Sequence, residues 1–230
     1  MKLKALREEV LEANLELVRR GLVLYTFGNA SGIARDEGLV VIKPSGVPYE
    51  SMKPPDLVVV DLDGRAVEGA LKPSSDLPTH LTLYRAFKGV GGVVHTHSRC
   101  ATAWAQARAE IPCLGTTHAD YFHGAVPVTR PLSAQEIQSD YEANTGKAIV
   151  KRFARLDPLE MPAVLVAGHG PFTWGASAAE AAHHAVILEE VARMALETVA
   201  LEADARALSR VLLDKHFFRK HGQNASYGQS

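Results

Sequence analysis

Apolar residues between Leu3 and Gly21 recur at helical spacing (Leu6, Val10, Leu11, Leu15 and Val18) with charged residues between them. The chain is therefore expected to open with an amphipathic helix that Gly21 is placed to stop. Beyond it the texture changes to short β-rich runs. Leu39–Ile42 and Leu57–Asp61 read as strands, and the Asp63-Gly64 pair predicts a hairpin turn leading to Ala66-Val67-Glu68. A helix is expected over Thr79–Phe87, opened by Asp76 or Pro78 and closed by Gly89. Gly91–Thr96 follows as a short buried strand, and Ser98–Ala109 as an Ala-rich helix. Ile111–Thr129, dense in Gly, Thr and His, is expected to be irregular. Ser133–Phe153 should include another helix, Met161–Ala167 an apolar strand, and Ser177–Leu201 the longest helix.

Strands and helices are mixed throughout, with no internal repeat and no composition break. That pattern predicts a single domain spanning 1–230, of α/β or α+β class, with helices covering a sheet. The hairpin-like early connections make that sheet partly antiparallel.

Composition narrows the function classes. With 230 residues and 47% hydrophobic content the chain can bury a core without staples. Its 25 basic residues nearly balance 26 acidic ones, which argues against binding nucleic acid through an overall field. Small anions need only local positive charge. Cys100 and Cys113 lack CxxC spacing, so free thiols in a reducing compartment are expected. No apolar run approaches the roughly 20 residues that cross a bilayer, and the charged first twenty residues lack the apolar centre of a signal peptide. A cytoplasmic protein without a membrane partner is the expectation.

Candidate chemistry concentrates at strand ends. His95-Thr96-His97 follows Gly92-Val93-Val94, and on extended backbone residues two apart share a face, so both imidazoles can converge on one ion. His169 lies between Gly168 and Gly170 after another apolar run, where glycines allow a tight turn. Three imidazoles with one exchangeable position describe a catalytic zinc site; the same pair on an edge strand could also be surface histidines. Three further segments, Gly28-Asn29-Ala30-Ser31-Gly32, Lys43-Pro44-Ser45-Gly46 and Lys72-Pro73-Ser74-Ser75-Asp76, are small and polar. They expose backbone N–H groups and hydroxyls of the kind a phosphate wants, although each alone also describes an ordinary turn. None matches a nucleotide-binding fingerprint.

In order along the chain, several segments resemble the class II aldolase family and, within it, the L-ribulose-5-phosphate 4-epimerase branch. They are Leu11-Glu12-Ala13-Asn14-Leu15, Ile42–Val47, Lys72–Asp76, Val94–Ser98, Gly115–Tyr121, His169–Phe172, Leu213–His216 and Tyr227-Gly228-Gln229. The resemblance implies a three-layer αβα fold with a central, largely antiparallel sheet. It also implies a homotetramer with active sites at subunit interfaces, completed by the C-terminal segment 212–230. His95, His97 and His169 match zinc ligands, and Asp76 matches an acidic ligand; Mn2+ or Co2+ in place of Zn2+ stays open. Gly28, Asn29, Lys43, Ser45, Gly46, Ser74 and Ser75 match residues that hold the phosphate end of the substrate. Asp120 and Tyr227 match an acid/base pair from the neighbouring subunit. The implied reaction interconverts L-ribulose 5-phosphate and D-xylulose 5-phosphate by metal-assisted cleavage and re-formation of the C3–C4 bond. An aldolase of the same family that releases its fragments is the nearest alternative, and such relatives typically carry Glu where Asp76 stands.

Overall fold

A computed structural model of the chain describes residues 1–221 and Ala225. Its seven strands are β1 (Asn29–Ala34), β2 (Leu39–Ile42), β3 (Val58–Asp61), β4 (Ala66–Glu68), β5 (Gly92–His95), β6 (Ala163–Leu165) and β7 (Pro171–Gly175). They form one sheet in the order β4-β3-β2-β1-β5-β7-β6, and every strand pairing is antiparallel. The helices are α1 (Lys4–Arg19), α2 (Leu77–Ala86), α3 (Arg99–Ala107), α4 (Thr116–Ala119), α5 (Ala134–Gln138), α6 (Tyr141–Arg152), α7 (Ala178–Leu201) and α8 (Arg210–Lys220).

Strands β2 and β3 are apolar on both faces because both faces are covered. In β2, Val40 and Ile42 join one core while Leu39 and Val41 join the other; Val58/Val60 and Val59 of β3 split the same way. One core is filled by α2, α3, α6 and the later turns of α7, the other by α1 and the first turns of α7. This is the expected αβα layering, with two buried faces explaining why Leu39–Ile42 reads as a continuous run and not an alternation.

Two strands were not legible as such. Residues 28–32, read as an anion-type loop, enter β1 at Asn29, and 171–175 form β7 directly after the His169 turn. β1 survives in the sheet centre because its small residues leave room for α1: a Cβ on Gly32 would come within 2.8 Å of Leu6. Asn14, fully buried on α1, supplies the polar link. Its side-chain oxygen accepts from the Ala30 N–H at 2.9 Å, and its amide donates to the Ala30 carbonyl at 3.3 Å. The single helix expected within 133–153 is two, α5 and α6, broken at Ser139. Among the described residues no helix is long and apolar enough to cross a membrane, and both cysteines are free and buried.

Candidate active site

Three neighbouring strands bring the site together. In the β1–β5 register Asn29 pairs with His95, and in the β5–β7 register His95 pairs with Phe172. The His95 ring stacks on Phe172 with centroids 4.3 Å apart, and its Nδ1–H donates to the Pro171 carbonyl at 2.9 Å. With Nδ1 so committed, Nε2 carries a free lone pair aimed off the strand end. His97, two residues beyond, places its Nε2 3.0 Å from that of His95. His169 completes the group from the tight turn between β6 and β7, which is closed by its N–H donating to the Val166 carbonyl at 2.9 Å. Gly170 makes that approach possible, because a Cβ there would meet the Thr96 carbonyl at 2.7 Å. The ligand-type atoms of His95, His97 and His169 all lie within 4.8 Å of one another. Burial lowers the basicity of all three imidazoles, most strongly at fully buried His95. They therefore stand neutral at pH 7, the form that donates to a metal.

The trio sits in a cavity of about 410 Å³ whose wall includes Gly28, Asn29, Lys43, Ser45, Gly46, Ser74, Ser75 and Asp76. All three small polar segments thus meet the histidines. Two of them are pinned together: the Ser45 N–H donates to the Lys72 carbonyl and the Ser74 N–H to the Lys43 carbonyl, each at 2.9 Å. Gly28 has φ +84°, and a Cβ on it would lie 2.7 Å from the His95 carbonyl, so only glycine lets this segment cross the end of β5. Lys43 is buried beside the Tyr49 ring, and that burial pushes its ammonium down to about 8. Its Nζ donates to the carbonyls of Pro44 and Val47.

Asp76 stands at the N-terminus of α2 but does not cap it. Its Oδ2 accepts the Asn29 amide at 2.6 Å, outside the imidazole cluster yet on the same wall. That bond orients Asn29, whose Oδ1 is left buried with no partner among the described residues. Thr26 and Phe27 also line the cavity, as do Tyr141 and Glu142, which open α6. Nothing local in the sequence marks Tyr141 and Glu142, which lie more than sixty residues from the nearest phosphate-type segment.

Asp120 is elsewhere. It follows α4, does not line this cavity, and is held by residues of α8 and the turn after it. Arg219 spans both carboxylate oxygens at 3.0 Å, His216 Nδ1 lies 3.0 Å from Oδ1, and Lys220 Nζ 3.5 Å from Oδ2. Burial opposes its ionisation, but Arg219, His216 and Lys220 outweigh it and hold the carboxyl below its usual range. Tyr227, Gly228 and Gln229 lie outside the described residues.

Comparison with known proteins agrees with this architecture. The family described as Class II Aldolase and Adducin N-terminal domain matches residues 8–196. The L-ribulose-5-phosphate 4-epimerase UlaF of Salmonella paratyphi A is 55% identical over 227 residues, covering 99% of this chain and 100% of that protein. Among solved structures, an L-fuculose 1-phosphate aldolase has a TM-score of 0.81 at 24% identity, covering 95% of this chain and 97% of its own. The L-fuculose-1-phosphate aldolase of Thermus thermophilus has a TM-score of 0.68 at 27% identity, over 88% of this chain and 98% of its own. The chain belongs to the class II aldolase family.

Proposed function

We propose that this chain is an L-ribulose-5-phosphate 4-epimerase, interconverting L-ribulose 5-phosphate and D-xylulose 5-phosphate by metal-assisted opening and re-forming of the C3–C4 bond. The observation that carries the reading is one cavity shared by three convergent imidazoles and three small polar segments with a buried lysine. Full-length identity of 55% to a protein named for this activity supports the choice within the family.

The donor set fits a divalent cation. Three neutral imidazoles suit zinc. The 3.0 Å between the Nε2 atoms of His95 and His97 is near the roughly 3.3 Å edge that two metal–nitrogen bonds of ~2.0–2.1 Å span in a tetrahedron. His95, His97 and His169 would hold the ion, with Asp76 on the adjoining wall as the acidic ligand. Bound Zn2+, or Mn2+ or Co2+ in its place, supplies Lewis-acid polarisation of neighbouring carbonyl and hydroxyl oxygens.

The rest falls to the chain itself. The C4 proton of the substrate is not adjacent to its carbonyl, so simple deprotonation cannot invert that centre, whereas opening the C3–C4 bond can. Lys43, Ser45, Gly46, Ser74, Ser75 and Gly28 grip the phosphate and keep the two-carbon fragment in place while its aldehyde turns. Asn29, whose side-chain oxygen is left an acceptor, suits a sugar hydroxyl at the same end. Return through the opposite face requires proton carriers on two sides, the roles proposed for Asp120 and Tyr227. Asp120 is held ionised by Arg219, His216 and Lys220, the state a base needs. Because it does not line its own chain's cavity, its role requires a neighbouring subunit to present it, within the proposed homotetramer. In this reading residues 1–230 act as one domain, with 212–230 completing a neighbour's site.

A coupled assay on L-ribulose 5-phosphate, run with metal analysis, tests the proposal. One divalent ion per chain and formation of D-xylulose 5-phosphate are expected. Accumulation of free glycolaldehyde phosphate instead would make this a fragment-releasing aldolase.

A further inference from the structure

We infer that Tyr141 is a positioning residue for the metal centre: its hydroxyl holds His169 with Nδ1 protonated and Nε2 turned toward His95 and His97. This rests on the metal reading of the histidine cluster and extends it to a residue from a different part of the chain. The Tyr141 hydroxyl lies 3.3 Å from His169 Nδ1, and the two rings are tilted at 38°. His95 already follows the same logic, its Nδ1–H spent on the Pro171 carbonyl. A metal-binding imidazole commonly donates its second N–H to a fixed oxygen, which sets the tautomer and aims the ligand nitrogen. His169 stands in a turn and not on a strand, so it has the greater need of such a partner.

The fold fixes where that oxygen lies. Tyr141 is the first residue of α6, and α6 is locked against α2, the helix that Asp76 opens. Thr79 on α2 donates its hydroxyl to the Glu142 carbonyl at 2.6 Å. Gly146, one turn further along, lies against Thr82 so closely that a Cβ would come within 2.7 Å of the threonine Cβ. A mid-helix glycine costs stability relative to alanine, so its place here is accounted for by the close approach it permits. The helix pair therefore delivers Asp76 and Tyr141 to one wall of the cavity as a unit.

The test is metal affinity, read without catalysis. Full-length wild type and Tyr141→Phe are stripped and titrated with Zn2+ against a competing chelator, and their Co2+ forms are compared by visible absorption. Loss of the hydroxyl should weaken zinc binding by about 10- to 100-fold and alter the Co2+ spectrum. Affinity within about twofold of wild type together with an unchanged Co2+ spectrum overturns the proposal. Should the variant not fold, nitrogen NMR of the wild type decides: His169 is expected to carry its proton on Nδ1, and a proton on Nε2 or metal on Nδ1 refutes it. Wild type that takes up no ion would instead defeat the underlying metal reading.

Discussion

The Nε2 of His95 and the Nε2 of His97 face each other at 3.0 Å at the end of β5. His95 cannot fill that gap with a proton of its own, since its N–H is already given to Pro171. In the proposed function a cation shared by the two rings takes both lone pairs. Adding Zn2+ to stripped protein should raise its resistance to unfolding, by about 2.7 kcal/mol at free metal 100 times the dissociation constant. His169→Ala should lack most of that gain. Equal stabilisation of both proteins, followed by urea unfolding, would place the metal somewhere else.

Anion binding should depend on the charge of Lys43. Its ammonium is pushed down to about 8 by burial, so the positive charge is present below that pH and fades above it. Inorganic phosphate, titrated calorimetrically on the metal-loaded protein, should bind more weakly as pH rises from about 7 to about 9. Lys43→Met should bind it weakly at every pH, without that decline.

Two glycines on the cavity wall should respond differently to alanine. Gly28→Ala combines positive φ with a Cβ 2.7 Å from the His95 carbonyl, so it should displace the end of β5 and cost metal affinity as well as stability. Gly46→Ala, at φ +70° with nothing within 4 Å, should cost only the backbone strain of about 1–2 kcal/mol. Metal titration of both variants checks the contrast; equal affinities would remove the steric argument.

How much of this was legible in the sequence follows from the forces involved. The α1 helix declares itself through apolar periodicity, α7 through its long Ala-rich run, and β2 and β3 through short continuous apolar runs, because burial dictates each pattern. The histidine trio is legible through its two-residue spacing and flanking glycines. β1 is not, since a strand reading Asn-Ala-Ser-Gly-Ile-Ala is stabilised by what packs over it: Asn14 on one side, and Ser31 hydrogen-bonded to His80 and Tyr84 on the other. Tyr141 was invisible for a related reason. Its place beside His169 is set by the contact of α2 with α6, a tertiary fact with no local signature.

Acid should destabilise the protein partly through His118. This buried ring, 2.8 Å from the Gly124 carbonyl through Nε2, has its pKa depressed to about 4 by desolvation. Between about pH 6.5 and 4 the unfolded chain binds a proton there that the native state does not. Its contribution is therefore intact above about 6.5 and declines as pH falls, with a slope of up to about 1.4 kcal/mol per pH unit. The stability of His118→Asn should fall less steeply over the same window, measured by urea unfolding at successive pH values; an identical slope would contradict the assignment.

In the proposed function the metal-loaded chain inverts a carbon by breaking the bond beside it, a step that carbon-13 kinetic isotope effects on the conversion of L-ribulose 5-phosphate to D-xylulose 5-phosphate report. Normal effects at both C3 and C4 are expected. Conversion with an effect at C4 alone, or no conversion by the metal-loaded protein, would contradict it.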